Sequence, residues 1–278
     1  MIKSFFTNRI WSRLMVAVFA LLVAVGFGTA VNAIHSWGPY HWARTANPFT
    51  LKLGDNVPLA WDTYLTTASS DWSLSSVLDT SVVAGGTRPK TCRPTAGRVE
   101  VCAAKYGNNG WLGLAQIWIT GGEHITKGAV KLNDTYFSKP AYNTSAWKSL
   151  VMCQEVGHTF GLDHQDENFS NPNLGTCMDY TSDPDGPPSN EHPNAHDFEQ
   201  LELIYAHLDS ITTVSATAPS KKNGRNQSFN FELPDTTDPD ELREWGRVVR
   251  RDARNRASLY ERDLGRGEKV LTHVLWAE

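Results

Sequence analysis

The segment from Gln154 to His164, QEVGHTFGLDH, constrains this 278-residue chain more than any other feature. On a helix, Gln154 and His158 lie one turn apart and project from the same face, so both can reach one ion, with Glu155 at its flank. Gly161 allows the backbone to leave the helix abruptly in the left-handed conformation, and His164 can then fold back as a third ligand. Two imidazoles, a third donor and an adjacent carboxylate suit a catalytic zinc ion that keeps one position open for water.

This segment is similar to the metzincin signature H-E-x-x-H-x-x-G-x-x-H, except that Gln154 stands where the signature has its first His. Downstream, the hexapeptide GTCMDY that ends at Tyr180 resembles the methionine turn of metzincin zinc proteases, with Met178 as its methionine. The resemblance covers roughly residues 48–208. It implies an α+β fold, with a metzincin-like twisted mixed sheet, an active-site helix, a Met turn and a C-terminal helix.

The resemblance also implies roles for individual residues. One catalytic zinc ion would be held by Gln154, His158 and His164, above Met178 and next to the turn at Gly161. Glu155 would be the general base, and Tyr180 would assist the oxyanion of the transition state. The chain would then be a metalloendopeptidase that hydrolyses peptide bonds.

A strand over residues 112–120 resembles the family's edge strand. In that family, such a strand pairs with an extended substrate. The resemblance therefore implies that Gly113, Leu114 and Ala115 bind a protein or peptide substrate, and we expect a monomer.

Two other functions stay open because an amide oxygen is a neutral and weaker ligand than imidazole. One is a catalytically silent metzincin-like binding protein, and the other is a zinc site with a structural role only. Among the other histidines, His192 and His196 are assigned loop or capping roles, and His124 a place in a hairpin. No ligand-like spacing is found for His35, His41, His207 and His273. Calcium is unsupported, because the Asp-rich stretches at 183–186 and 235–241 lack the spacing of a calcium loop.

The N-terminus has the pattern of an export signal. Lys3, Arg9 and Arg13 precede an uncharged apolar run, and small residues lead to a cleavage site after Ala33. We therefore expect a secreted, extracellular protein, or a membrane-anchored one if this segment is not cleaved. In that compartment the four cysteines can oxidise. Cys92 and Cys102 lie across a turn, and the resemblance would bring Cys153 near Cys177, although four cysteines permit three pairings.

The remaining sequence divides the chain into four parts. These are a signal peptide at 1–33, a metalloprotease-like domain at 34–210, a linker at 211–240 and a small β-rich extension at 241–278. Helices are predicted at 59–72, 147–160 and 197–208, with strands near 49–53, 99–104, 112–120 and 129–132. The net charge of −4 gives no support to nucleic acid as a partner, and no membrane contact is expected once the signal is cleaved.

Overall fold

A computed structural model describes residues 34–215 and 242–277 of the chain. The predicted signal peptide, with its cleavage site after Ala33, and most of the predicted linker lie outside these residues. The described residues from His35 onward belong to one compact unit. Within the two described ranges, none of the helices combines the length and the hydrophobicity that a bilayer span requires.

The fold is α+β, with many strands and few helices, and most predicted elements are present with shifted ends. The strands are β1 His41–Trp42, β2 Phe49–Asn56, β3 Leu78–Ala84, β4 Val99–Ala104, β5 Trp111–Thr120, β6 His124–Asn133, β7 Arg247–Arg251, β8 Ala257–Gly265 and β9 Glu268–Trp276. The helices are α1 Leu59–Trp72, α2 Asp134–Phe137, α3 Ser145–His158 and α4 Ala195–Ile204, with a 3-10 turn at Leu242–Trp245. Strand β3 was not predicted; its second half alternates between partly buried and exposed positions.

The described strands form one mixed sheet in the order β3-β2-β4-β6-β5-β9-β8-β7, with β1 paired to β6. Strands β2, β3, β4 and β6 run parallel, whereas β5, β7, β8 and β9 pair antiparallel with their neighbours. The three strands of the predicted C-terminal extension therefore continue the main sheet and do not form a sheet of their own. A continuous sheet leaves fewer unpaired backbone groups than two separate sheets would.

Strand β5 is consequently not an edge strand, and that prediction is wrong. It pairs with β6 on one side and with β9 on the other. Gly113, Leu114 and Ala115 lie opposite residues 275, 274 and 273 of β9. Because their backbone groups face paired strands on both sides, no substrate strand can be added to β5 while β9 is in place.

Helix α3 packs between the sheet and α1, and this position fixes the candidate site. Its N-cap is Thr144, whose hydroxyl accepts a hydrogen bond from the Trp147 amide at 3.2 Å. From α1, the indole nitrogen of Trp72 donates to the Cys153 carbonyl at 3.1 Å. Eleven of the fourteen residues of α3 are buried, so the helix is held on all sides.

Candidate metal centre

The end of α3 and the turn after it bring His158 and His164 together. Gly161 has φ +97°, and a Cβ there would lie 2.3 Å from the Tyr40 carbonyl oxygen, so the turn requires glycine. The chain then reverses, and the Nε2 atoms of the two imidazoles approach to 3.0 Å. The prediction that His164 folds back toward His158 after the turn at Gly161 agrees with the structure.

The outer nitrogens of both rings fix which inner atoms carry lone pairs. His158 Nδ1 lies 2.9 Å from the Leu162 carbonyl, and His164 Nδ1 lies 3.0 Å from a carboxylate oxygen of Glu167. A carbonyl and a carboxylate can only accept, so both Nδ1 atoms carry the proton in the neutral rings. The two facing Nε2 atoms are then both acceptors, and a cation between them would replace their repulsion by attraction.

A third imidazole comes from β9, where sequence spacing gave no reason to expect a ligand. His273 lies with His158 and His164 in one group whose ligand atoms are all within 4.8 Å of one another. Its ring centroid is 4.1 Å from that of His158 and 4.5 Å from that of His164. Sequence spacing therefore gave no indication that His273 lies in this group. A single histidine inside the apolar run 270–275 was the signal, but only the strand order shows where it points.

Burial makes this group of imidazoles electrostatically unusual. His158 and His273 are fully buried, and His164 is 7% exposed. Burial, followed by the nearby imidazoles, holds the pKa of His158 and of His273 well below the usual value. Both rings are therefore neutral near pH 7, the form that binds a metal ion.

Glu155 is fully buried beside the imidazoles, as the helix geometry predicted. Neither of its carboxylate oxygens has a hydrogen-bond partner among the described residues, and one lies 3.7 Å from His273 Nδ1. Burial raises the pKa of Glu155 well above its usual value. Gly113 makes room for this carboxylate, because a Cβ there would lie 2.7 Å from Glu155 Oε1 and 2.6 Å from Val151 Cγ1.

Gln154 is fully buried one turn before His158, but its contacts differ from those of the three imidazoles. Its amide nitrogen donates to the Cys177 carbonyl at 2.8 Å. Its amide oxygen has no hydrogen-bond partner among the described residues. The side chain thus joins α3 to the segment that contains Met178, and its role as a metal ligand stays a prediction.

Tyr180 and Met178 both lie close to this arrangement. The Tyr180 hydroxyl is 3.1 Å from His273 Nε2, and burial raises the pKa of Tyr180 well above the usual value, so the hydroxyl keeps its proton at neutral pH. Its oxygen can accept a hydrogen bond from His273 Nε2, which leaves the lone pair of that ring on Nδ1. Met178 packs against the helix at Gly157, where a Cβ would lie 2.8 Å from Met178 Sδ. Both residues are buried.

Two disulfides are present, in the arrangement that the sequence suggested. Cys153 is bonded to Cys177, and Cys92 to Cys102. The first bond joins the residue before Gln154 to the residue before Met178. It therefore links the helix of the candidate site covalently to the loop beneath it.

Two contacts cover the site. The Trp37 indole stacks on His158 with centroids 5.0 Å apart, and Trp37 is 4% exposed. On another side, Arg250 of β7 contacts Asp163 and Glu167, the neighbours of His164. The three imidazoles are consequently shielded from solvent by the segment around residue 37 and by the C-terminal strands.

The remaining predicted sites are not part of this centre. His192 lies 2.6 Å from an Asp71 oxygen, and Asn194 caps α4 through a capping box. His35 contacts Asp197 at 3.1 Å. The Asp-rich stretch at 183–186 forms a turn, in which Gly186 N donates to the Asp183 carbonyl at 3.0 Å, and the stretch at 235–241 lies outside the described residues.

The residues present fit a transition metal ion. Two zinc-bound nitrogens at about 2.0–2.1 Å from a tetrahedral ion are about 3.3 Å apart, close to the separation of the His158 and His164 Nε2 atoms. His273 Nδ1 is buried and has no hydrogen-bond partner among the described residues, as expected of a ligand atom.

The chain matches no protein-family model, and no curated protein is significantly similar to it.

Proposed function

We propose that this protein is a secreted, zinc-dependent endopeptidase of the metzincin type, with His158, His164 and His273 as its metal ligands. The observation that carries the proposal is a group of three close imidazoles beside a buried carboxylate, Glu155, which lies 3.7 Å from His273 and lacks a hydrogen-bond partner among the described residues. Three histidine ligands leave the fourth position of zinc open for water. The two disulfides are consistent with an oxidising, extracellular compartment.

The chemistry would divide between the metal and the side chains. A zinc ion in this site supplies Lewis acidity toward water and toward a peptide carbonyl. Glu155 accepts the proton of the attacking water and transfers it to the leaving amine. Tyr180 donates its hydroxyl proton in a hydrogen bond to the oxyanion, exchanging its contact with His273 for this one.

Glu155 distinguishes a catalytic site from a purely structural one. A buried carboxylate that lacks a hydrogen bond costs several kcal/mol of folding free energy. A structural three-histidine site gains nothing from that cost, and Gly113 must also be small to admit the side chain. A general base with a raised pKa needs both the burial of the carboxylate and the space that Gly113 leaves for it.

A structural zinc site is the second candidate, and the burial of the centre favours it. Every one of the three imidazoles is at most 7% exposed, and Trp37 and Arg250 cover them. A catalytic role requires that Trp37 or the strand β9 move before a protein substrate reaches Glu155. A structural site requires no such movement.

The test combines zinc content with hydrolysis of an unfolded protein substrate by the full-length protein. Glu155→Gln should keep the same zinc content and reduce hydrolysis by at least about 100-fold, because only the base is lost. His273→Gln should lose one equivalent of zinc and all activity. Glu199→Gln, on the exposed side of α4, is the matched control and should change neither.

The outcomes separate the alternatives. Zinc-loaded wild-type protein that cleaves no substrate, while Gln154→His does, would overturn the proposed catalytic set. Zinc bound without hydrolysis in both proteins would establish the structural role. Hydrolysis that survives Glu155→Gln would remove Glu155 as the base.

A further inference from the structure

A second group of histidines, outside the candidate catalytic site, surrounds one carboxylate oxygen. The members are His41 of β1, His124 at the start of β6, and His207 and Asp209, which follow α4. They come from three chain segments and share no residue with the group that contains His273. Sequence reasoning placed His124 in a hairpin and found no ligand spacing for the other two histidines, because the ligands are far apart in sequence.

The three imidazoles all face one oxygen of Asp209. Asp209 Oδ1 lies 3.1 Å from His124 Nε2, 3.4 Å from His41 Nε2 and 3.8 Å from His207 Nε2. The Nε2 atoms of His41 and His207 are 3.2 Å apart, and the ligand atoms of His41, His207 and Asp209 all lie within 4.8 Å of one another. The separations among these three residues scatter around the spacing of about 3.3 Å expected for ligands of a tetrahedral zinc ion.

The outer contacts of the group orient the inner atoms. His41 Nδ1 lies 2.7 Å from the Pro39 carbonyl, so the neutral ring carries its proton there and turns the lone pair of Nε2 inward. Asp209 Oδ2 accepts hydrogen bonds from the Arg44 backbone at 3.2 Å and from its guanidinium at 2.9 Å. These contacts with Arg44 direct the other oxygen, Oδ1, at the three imidazoles. In metal sites, residues that are hydrogen-bonded to a ligand orient it in the same way.

Hydrogen bonding alone explains the arrangement less well. The neutral His41 ring has no proton on Nε2, yet this atom faces both the carboxylate of Asp209 and the Nε2 atom of His207. Satisfying these contacts without a metal requires at least one charged imidazole. One divalent cation satisfies the inner atoms of His41, His207 and Asp209 at once.

We propose that His41, His207 and Asp209 bind a second zinc ion, with His124 hydrogen-bonded to the Asp209 oxygen that faces the ion. The role of this ion is structural, because its ligands come from separate segments of the chain. It joins β1, the β5–β6 turn and the segment after α4, and it stabilises the position of the chain just before the predicted linker. The ion has a route of entry, because the His207 side chain is 56% exposed, whereas that of Asp209 is 9% exposed.

The experiment counts zinc per chain by equilibrium dialysis of the full-length protein and of three variants. His207→Ala removes an exposed ligand and should lose one equivalent, with at least about 100-fold weaker zinc binding at this site. His192→Ala is the matched control, because the His192 side chain is also 56% exposed and contacts a carboxylate, and it should keep the wild-type zinc content. The double variant His158→Ala/His164→Ala should retain one equivalent.

Cobalt(II) provides a readout that does not depend on activity. Loaded into the His158→Ala/His164→Ala protein, it should give the visible absorption of a four-coordinate ion, and adding His207→Ala should abolish that absorption. Zinc should raise the melting temperature of the double variant and leave the triple variant unchanged. Equal zinc content in His207→Ala and wild-type protein would overturn the second site. If His207→Ala retains its zinc and the double variant loses all of its zinc, the second site is also overturned. That result would leave the candidate catalytic site intact.

Discussion

Arg250 of β7 faces Asp163 with two parallel contacts, each 2.5 Å, between its guanidinium nitrogens and the two carboxylate oxygens. Asp163 immediately precedes His164, so the pair attaches the C-terminal strands to the turn that holds a candidate metal ligand. Burial alone would raise the pKa of Asp163, but the hydrogen bonds and charge of Arg250 lower it below the usual value. The C-terminal strands are thus joined to the site by the bidentate Arg250–Asp163 ion pair as well as by the β5–β9 pairing.

The first prediction concerns this Arg250–Asp163 ion pair. Arg250→Ala should lower the free energy of unfolding by about 1–2 kcal/mol, because it leaves the largely buried Asp163 carboxylate unpaired. Arg250→Lys should lose less, since it keeps the charge but not the bidentate geometry. Arg247→Ala is the control: that side chain is 72% exposed in its pair with Glu261, and we expect a loss below about 1 kcal/mol. Denaturant unfolding measures all three, and equal losses for Arg250→Ala and Arg247→Ala would contradict the prediction.

The second prediction separates Gln154 from His273 as the third ligand. Gln154→Leu should keep the wild-type zinc content, whereas His273→Gln should lose one equivalent. The leucine variant should still be less stable by about 1–3 kcal/mol, because the Cys177 carbonyl loses its donor. Zinc analysis and thermal unfolding give both quantities. If Gln154→Leu loses as much zinc as His273→Gln, the amide oxygen is a ligand after all.

The sequence was sufficient for the local part of the site and insufficient for the part made by distant segments. His158, Glu155 and Gly161 follow from helix periodicity and one glycine, because those relationships extend over a few residues. His273 could not be placed, since its position depends on the antiparallel addition of β9 to β5. The same pairing explains why Leu114 was wrongly placed on an edge. Strand order is set by long-range backbone hydrogen bonds, which leave little trace in a single strand's pattern.

The third prediction compares the two disulfides. Loop-closure entropy gives about 3.4 kcal/mol for the 24-residue separation of Cys153 and Cys177, and about 2.7 kcal/mol for the 10-residue separation of Cys92 and Cys102. Paired replacement by alanine should therefore destabilise the protein in that order. Only the first pair should also weaken zinc binding, because it links α3 to the Met178 segment. Unfolding curves and zinc titration of the two double variants check this, and weakened zinc binding in the Cys92/Cys102 variant alone would contradict it.

The fourth prediction concerns the space beside the carboxylate. Gly113→Ala places a Cβ 2.6 Å from Val151 and 2.7 Å from Glu155, so either the strand or the helix must shift. We expect a loss of about 1–3 kcal/mol in stability and a reduced rate of hydrolysis, because Glu155 is displaced. In a Glu155→Ala background the carboxylate contact is gone, and the same substitution should cost less. Equal costs in both backgrounds would show that Glu155 does not determine the need for glycine.

The last prediction is a pH dependence that arises away from the metal sites, at Glu100 of β4. Its buried carboxylate accepts hydrogen bonds from Asn56 at 2.7 Å and from the Gly86 amide at 3.1 Å, and it contacts Arg98. Although burial acts in the opposite direction, the hydrogen bonds with Thr95, Asn56, Gly86 and Arg98, in that order, lower the pKa of Glu100 below its usual value. A carboxyl group whose folded pKa is depressed contributes stability above its unfolded pKa of about 4.3, and this contribution disappears as the pH falls through the folded pKa.

Glu100→Gln should therefore be less stable than the wild type by about 1.5–3 kcal/mol at pH 7, and the difference should shrink below about pH 4. Glu123→Gln, at a half-exposed side chain, should follow the wild-type curve across this range. Urea unfolding at a series of pH values measures the effect. A difference between Glu100→Gln and the wild type that stays constant from pH 7 to pH 3 would mean that the ionised carboxylate does not supply this stability.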